Sequence, residues 1–186
     1  MRSLALFLIF LYAPFANAQE VSTWKDNVRG WYVGIDHTVA DSCFVHSIFE
    51  SGTSLRLQWG WEFKGVVFMI GNAKWQSIEE NKKYEIEIAF GNQPAWSGAA
   101  TGKILGGEVK YVSIDILGDN GLDFLLEFME QSNVRVSFNG NQISNLSLRG
   151  TFAAGQELLS CQEAANEQND DPFANANSSN DDPFDL

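Results

Sequence analysis

His37 and His46 are the only two histidines in the chain, and Asp36 and Asp41 lie close to the first of them. Imidazoles with carboxylates nearby are the raw material of a metal site or of a Ser-His-Asp relay. The histidine spacing matches no familiar ligand motif, and no Gly-x-Ser-x-Gly turn occurs to carry a nucleophile. Hydrogen-bonded structural or surface histidines account for both positions, so no catalytic residue, metal or other cofactor is expected. Two carboxyl groups at the right separation can hydrolyse a glycoside. Here Glu85 and Glu87 share a strand face with Lys83, and Glu79 and Glu80 precede Asn81-Lys82-Lys83 in a polar turn. A solvated face and an ordinary loop explain them. Tryptophan is more informative. Of Trp24, Trp31, Trp59, Trp61, Trp75 and Trp96, the last two stand in turn-like contexts, Gly71 to Trp75 and Gln93 to Gly98. An indole on a loop stacks on sugars or anchors a protein partner, which makes Trp75 and Trp96 the candidate ligand-binding residues. The competing reading has each ring plugging the end of a sandwich.

The elements that position these residues read as strands separated by turns. From Ser54 to Phe63 the chain alternates, with Leu55, Leu57, Trp59, Trp61 and Phe63 on one face and Ser54, Arg56, Gln58, Gly60 and Glu62 on the other. Tyr84, Ile86, Ile88 and Phe90 alternate with Lys83, Glu85, Glu87 and Ala89 in the same way, so each segment predicts a half-buried antiparallel strand. Apolar runs at Trp31 to Ile35, Cys43 to Phe49, Val66 to Ile70 and Val109 to Ile116 have mixed faces, which suggests burial on both sides. Val134 to Phe138, Asn139-Gly140 and Ile143 to Leu148 predict a tight hairpin. Helical spacing predicts a helix over Asn120 to Gln131, with Asn120 as its cap, and another over Thr151 to Ala164 that groups Phe152, Leu158, Leu159 and Cys161. The expected fold is mainly β: an antiparallel β-sandwich or flattened barrel of about eight strands with two short helices.

Residues 1–18 carry a basic start at Arg2, an apolar stretch from Leu4 to Phe15 and the small-x-small site Ala16-Asn17-Ala18, the pattern of a cleavable export signal. Export to the periplasm or beyond places Cys43 and Cys161, the only cysteines, in an oxidising compartment, where a disulfide between them is expected. That bond makes residues 19–162 a single folded domain. Only Arg2 among the charged groups lies in the signal, so cleavage takes the net charge from −12 to −13. Such a balance disfavours nucleic acid and anionic lipid as partners, and after signal cleavage no long apolar stretch remains to span a membrane.

Residues 163–186 are rich in Asn, Asp, Ala and Ser, the composition of a disordered acidic tail. Asn-Asp-Asp-Pro-Phe occurs in it twice, so Asp171, Pro172 and Phe173 with Asp182, Pro183 and Phe184 form a candidate partner motif, an apolar anchor beside Pro and acids.

The stretch Asn141 to Gln162 (NQISNLSLRGTFAAGQELLSCQ) ends a strand on Leu-Ser-Leu, passes through a Gly and small residues, and enters a short helix with a Cys. It resembles the C-terminal end of the invasion-associated locus B proteins, exported β-sandwich proteins of Gram-negative bacteria, and related uncharacterised periplasmic proteobacterial proteins. The resemblance covers about 22 of 186 residues. At the front, Trp31 to Asp36 has no Cys where that pattern has one. The motif concerns packing, with Gly150, Ala153 and Ala154 letting the helix approach the sheet. The resemblance implies a role in attachment or stress at the cell envelope and transfers no catalytic residue. The expected function is therefore a non-catalytic, exported protein that binds a protein or envelope component, or alternatively a glycan- or peptidoglycan-binding module using Trp75 and Trp96.

Overall fold

The computed structural model describes residues 20–60, 65–105 and 109–170. The expected signal peptide, Trp61, Phe63 and the Asp-Pro-Phe residues of both repeat copies lie outside the described residues. In chain order the elements are β1 (Val21–Val28), β2 (Trp31–Asp36), β3 (Ser42–Ile48), β4 (Thr53–Gly60), β5 (Gly65–Asn72), β6 (Lys83–Phe90), β7 (Trp96–Leu105), β8 (Val109–Ile116), α1 (Asp119–Glu130), β9 (Asn133–Phe138), β10 (Asn141–Ser147) and α2 (Thr151–Asp170). Strand alternation sorts the side chains as expected on β6, where Ile86, Ile88 and Phe90 are buried while Lys83, Glu85 and Glu87 are exposed; on β4 it places Leu55 and Leu57 in the core, but Gln58 and Gly60 of the other face are buried as well and Trp59 is half-buried. Asn139 and Gly140, at φ 50 and 73, make the two-residue turn from β9 to β10.

Among the described residues ten strands form where about eight were expected, the additions being β1 and β7. The sequence of β1, VSTWKDNV, has too little apolar character to stand out, and it lies at a sheet edge. In β7, WSGAATGKIL, the residues are small because their neighbours cover them: a Cβ on Gly98 would lie 2.7 Å from Ile114, and one on Gly102 would lie 2.3 Å from the Glu79 carbonyl.

All ten strands are antiparallel to their neighbours in one sheet, in the order β1-β2-β3-β4-β5-β8-β7-β6-β9-β10. β2 and β6 are six strand steps apart, roughly 29 Å across a flat sheet. Trp31 on β2 and Phe90 on β6 nevertheless both contact Phe128 of α1, with ring centroids 5.4 and 6.5 Å away. The sheet must therefore coil around α1. Phe124, one turn earlier, meets Phe68, Phe90 and Trp96 at 5.6, 4.8 and 5.4 Å. β1 and β10 are not paired with each other, so the expected flattened barrel is a roll left open.

The helices differ from expectation at their ends. Gly118, at φ 60, takes the cap of α1, and Asn120 lies inside the helix. α2 continues past Ala164 to Asp170 because Ala154, Leu158, Cys161 and Ala165 keep returning to the same buried side. Residues 163–170, expected to be tail, are thus helical. Phe152 and Leu159 fall on the opposite side and are 55% and 40% exposed. Cys43 on β3 and Cys161 on α2 form the expected disulfide, 118 residues apart in sequence, with Cα atoms 6.1 Å apart. Next to it the Cys43 backbone N–H donates to the Gln162 side-chain oxygen at 2.9 Å. Gly150 sits at φ 94 with its Cα against the β1–β2 turn, where a Cβ would lie 2.6 Å from the Arg29 carbonyl.

Candidate ligand clefts

Asn72 at the end of β5 shapes the first cleft. Its side-chain oxygen accepts from the Lys74 backbone N–H at 2.9 Å, and its carbonyl accepts from that of Trp75, also at 2.9 Å. Its side-chain amide donates to the Thr53 hydroxyl at 2.9 Å. These bonds fix the turn that carries Trp75, half-buried, into a cleft of about 360 Å³. The opposite wall is β10, which contributes Gln142 to Leu146 in unbroken succession. The cleft thus combines one indole with the hydroxyl and amide groups of Thr53, Asn72, Gln142, Ser144 and Asn145.

Trp96 stands elsewhere. It is the first residue of β7 rather than part of a turn, its ring meets Phe124, and its indole N–H donates to the Glu127 carboxylate at 2.9 Å. It lines a separate depression with residues of β8 and the start of α1. The two tryptophans singled out in the sequence therefore do not share a site.

A larger cleft of about 700 Å³ lies on the sheet face turned away from the helices. Tyr32 on β2, Phe44 and His46 on β3, Arg56 and Gln58 on β4 and Tyr111 on β8 line it, because alternation that sends Val45, Leu55 and Leu57 into the core sends these residues outward. Glycines make room for its rings: a Cβ on Gly34 would lie 2.9 Å from the Phe44 ring, and one on Gly71 would lie 2.8 Å from Tyr111. Arg56 holds the centre. One of its terminal nitrogens donates to Asp36 at 2.5 Å and to the Gln58 side-chain oxygen at 2.8 Å, and its guanidinium lies 3.7 Å from the centroid of Phe44. The other Asp36 oxygen accepts from the Thr38 backbone and hydroxyl at 3.0 and 2.5 Å. Two buried donors, Arg56 Nε and Gln58 Nε2, have no acceptor among the described residues.

The electrostatics follow from this burial. Desolvation acts to raise the pKa of Asp36, but hydrogen bonds from Thr38 and Arg56 and the charge of Arg56 outweigh it and hold the carboxyl below its ordinary value of 3.8. Burial, then the Arg56 charge, lowers His46 from 6.5, while burial raises Tyr111 above 10.0. His46 is therefore a neutral imidazole at neutral pH, bonded to the Ser54 hydroxyl at 2.8 Å, and Tyr111 is an uncharged phenol.

His37 and His46 are not brought together. His37 bridges the Asp41 carboxylate at 2.5 Å and the Ser22 hydroxyl at 2.8 Å, the connectivity of a hydrolytic relay. The His37 and Asp41 side chains are 41% and 39% exposed, however, and none of the three residues lines either cleft. Among the described residues no three His, Cys, Asp or Glu side chains converge on a point where a metal ion would sit.

Sequence reasoning missed Arg56 and Gln58, which it placed on the non-core face of a half-buried strand. The signal that could have found them is Phe44, an aromatic on the side of β3 opposite Cys43 and Val45. An apolar ring there requires cover on the outer face as well.

Among solved structures, the chain is similar to the crystal structure of invasion associated protein B from Bartonella henselae, at a TM-score of 0.53 and 10% sequence identity over 74% of this chain and 96% of that one. At that identity the likeness is one of fold. No family model matches the sequence, and no curated protein does.

Proposed function

We propose that this chain is a non-catalytic binding protein of the extracytoplasmic space that holds a glycan of the cell envelope in the Trp75 cleft. The observation that carries the reading is the composition of that cleft, a half-buried indole sharing one space with hydroxyl and amide side chains. A sugar presents C–H groups on its faces and hydroxyls at its rim, which stack on an aromatic ring and bond to amides. Location outside the cytoplasm is supported by the pairing of the only two cysteines. Among the described residues no helix is long and apolar enough to cross a membrane.

The open edge of β10 favours a second reading, in which the partner is a protein. Among the described residues β10 is bonded to β9 alone, and an extended segment adding to its other edge would enter the same cleft. Co-sedimentation with purified peptidoglycan separates the two. The glycan reading expects the protein in the pellet, with Trp75→Ala abolishing sedimentation and Trp96→Ala leaving it intact. If the protein stays in the supernatant, while envelope extract yields a partner that Ser144→Pro in the β10 edge releases, the protein reading replaces it.

A further inference from the structure

The outer-face cleft is unlike the Trp75 cleft in what it offers a ligand. Its walls include Phe44, Met69, Val39 and Val109, while its polar floor is Gln58, 2% exposed, beside the guanidinium of Arg56. Its two charges, Arg56 and Asp36, are spent on each other. An incoming anion would meet a cation already neutralised and a carboxylate next to it, in a chain of net charge −12. An incoming cation would meet the guanidinium. Among the described residues Arg56 Nε and Gln58 Nε2 remain as donors without acceptors, a desolvation cost that a bound oxygen would relieve.

We propose that this cleft is a second binding site, distinct from the Trp75 cleft, for a neutral acyl compound, an ester or amide whose carbonyl oxygen accepts from Gln58 and Arg56. Its hydrocarbon part lies along Phe44, Met69 and Tyr111. The carbonyl supplies the strongest acceptor an uncharged molecule can carry, and the chain attached to it matches the apolar walls. Asp36 acts indirectly: by holding the guanidinium over Phe44 it fixes the direction of the donor and cancels its charge. The buried, polar floor thus selects for an acceptor oxygen and against a full charge of either sign.

Three ten-carbon amphiphiles that differ only in their heads test this on the full chain: monodecanoylglycerol, decanoate and decyltrimethylammonium, each below its micelle concentration. The Nε–H resonance of Arg56 and the side-chain amide resonances of Gln58 report occupancy directly. Monodecanoylglycerol is expected to shift both saturably, with the two charged probes at least about tenfold weaker. Gln58→Leu is expected to stay folded, with a cooperative melting transition, and to weaken monodecanoylglycerol at least about tenfold, the size of one lost buried hydrogen bond. Equal affinity for all three heads would reveal a charge-blind apolar patch and overturn the proposal. So would tighter binding of decanoate, no saturable shift with any probe, or shifts confined to Trp75 and β10. Because Trp75 lies in the other cleft, failure of peptidoglycan sedimentation leaves this test unaffected.

Discussion

Leu57 and Gln58 are consecutive residues of β4, 0% and 2% exposed, and they are hidden by different things. Leu57 faces the helix side, where the sheet coils around α1 and aromatic rings fill the interior. Gln58 faces the outer side, beneath Arg56 and beside Phe44, where a polar group lacks part of its hydrogen bonding. The inner face is what a core requires: apolar and close-packed. The outer face carries two unmet donors, which cost stability rather than adding to it and which a bound acceptor would satisfy. Equal burial thus separates into two roles, one for stability and one for recognition.

The largest effect expected from that contrast lies within β4. Leu57→Ala is expected to destabilise by about 2–5 kcal/mol, whereas Gln58→Leu removes an orphaned donor together with an acceptor of Arg56, two opposed effects that leave an expected net change within about 1 kcal/mol of zero. Denaturant unfolding of the two variants measures this; a Gln58→Leu loss matching that of Leu57→Ala would make the outer face a second core. Next comes Asp36→Asn, which strands the Arg56 cation. Breaking a fully buried pair costs about 3–5 kcal/mol, and the 21% exposure of the Arg56 side chain reduces the expected loss to about 2 kcal/mol. The double variant Asp36→Asn, Arg56→Met is expected to recover most of that loss in the same assay, since no buried charge remains.

The smallest effect is the pH dependence of the outer face. His46 has its folded pKa lowered by burial and then by Arg56, so the unfolded chain binds the proton first. Stability is therefore full above the ordinary value of 6.5 and falls as the pH drops below it, by less than about 1.4 kcal/mol per pH unit. Asp36, held below 3.8, adds a second decline at lower pH as it takes up its proton in the folded state. Melting temperatures measured from pH 8 to pH 3 are expected to show both steps, and His46→Gln to erase only the upper one. A profile flat between pH 7 and pH 5 would mean that His46 is not held neutral by the outer face.

The same contrast explains what could be read from the sequence. Leu55, Leu57, Ile86, Ile88 and Phe90 announced themselves by alternation, and Asn139-Gly140 by its turn chemistry, because these signals are local. The disulfide followed from there being two thiols and a signal-like N-terminus. Coiling of the sheet was not legible, since it depends on Trp31 and Phe90 meeting one phenylalanine from distant strands. Nor was β7, whose small residues are explained only by Ile114 and the Glu79 carbonyl pressing on them. Trp75 was recognised as a candidate by its loop, but its companions Gln142 to Asn145 come from a strand about seventy residues later. Arg56 and Gln58 look like any solvated pair until Phe44 and Asp36 are folded over them.

The Cys43–Cys161 bond also sets an order in time. A chain that emerges N-terminus first, from a ribosome or across a membrane, exposes Cys43 118 residues ahead of Cys161. During that interval β1 to β5, a meander of neighbouring strands, has all it needs to pair locally. Its helical cover and its covalent fastening do not yet exist. With only two thiols in the chain, Cys43 has no wrong intramolecular partner to find while it waits. The wall bearing Phe44 and His46 is thus among the first parts of the protein able to form and the last to be made permanent.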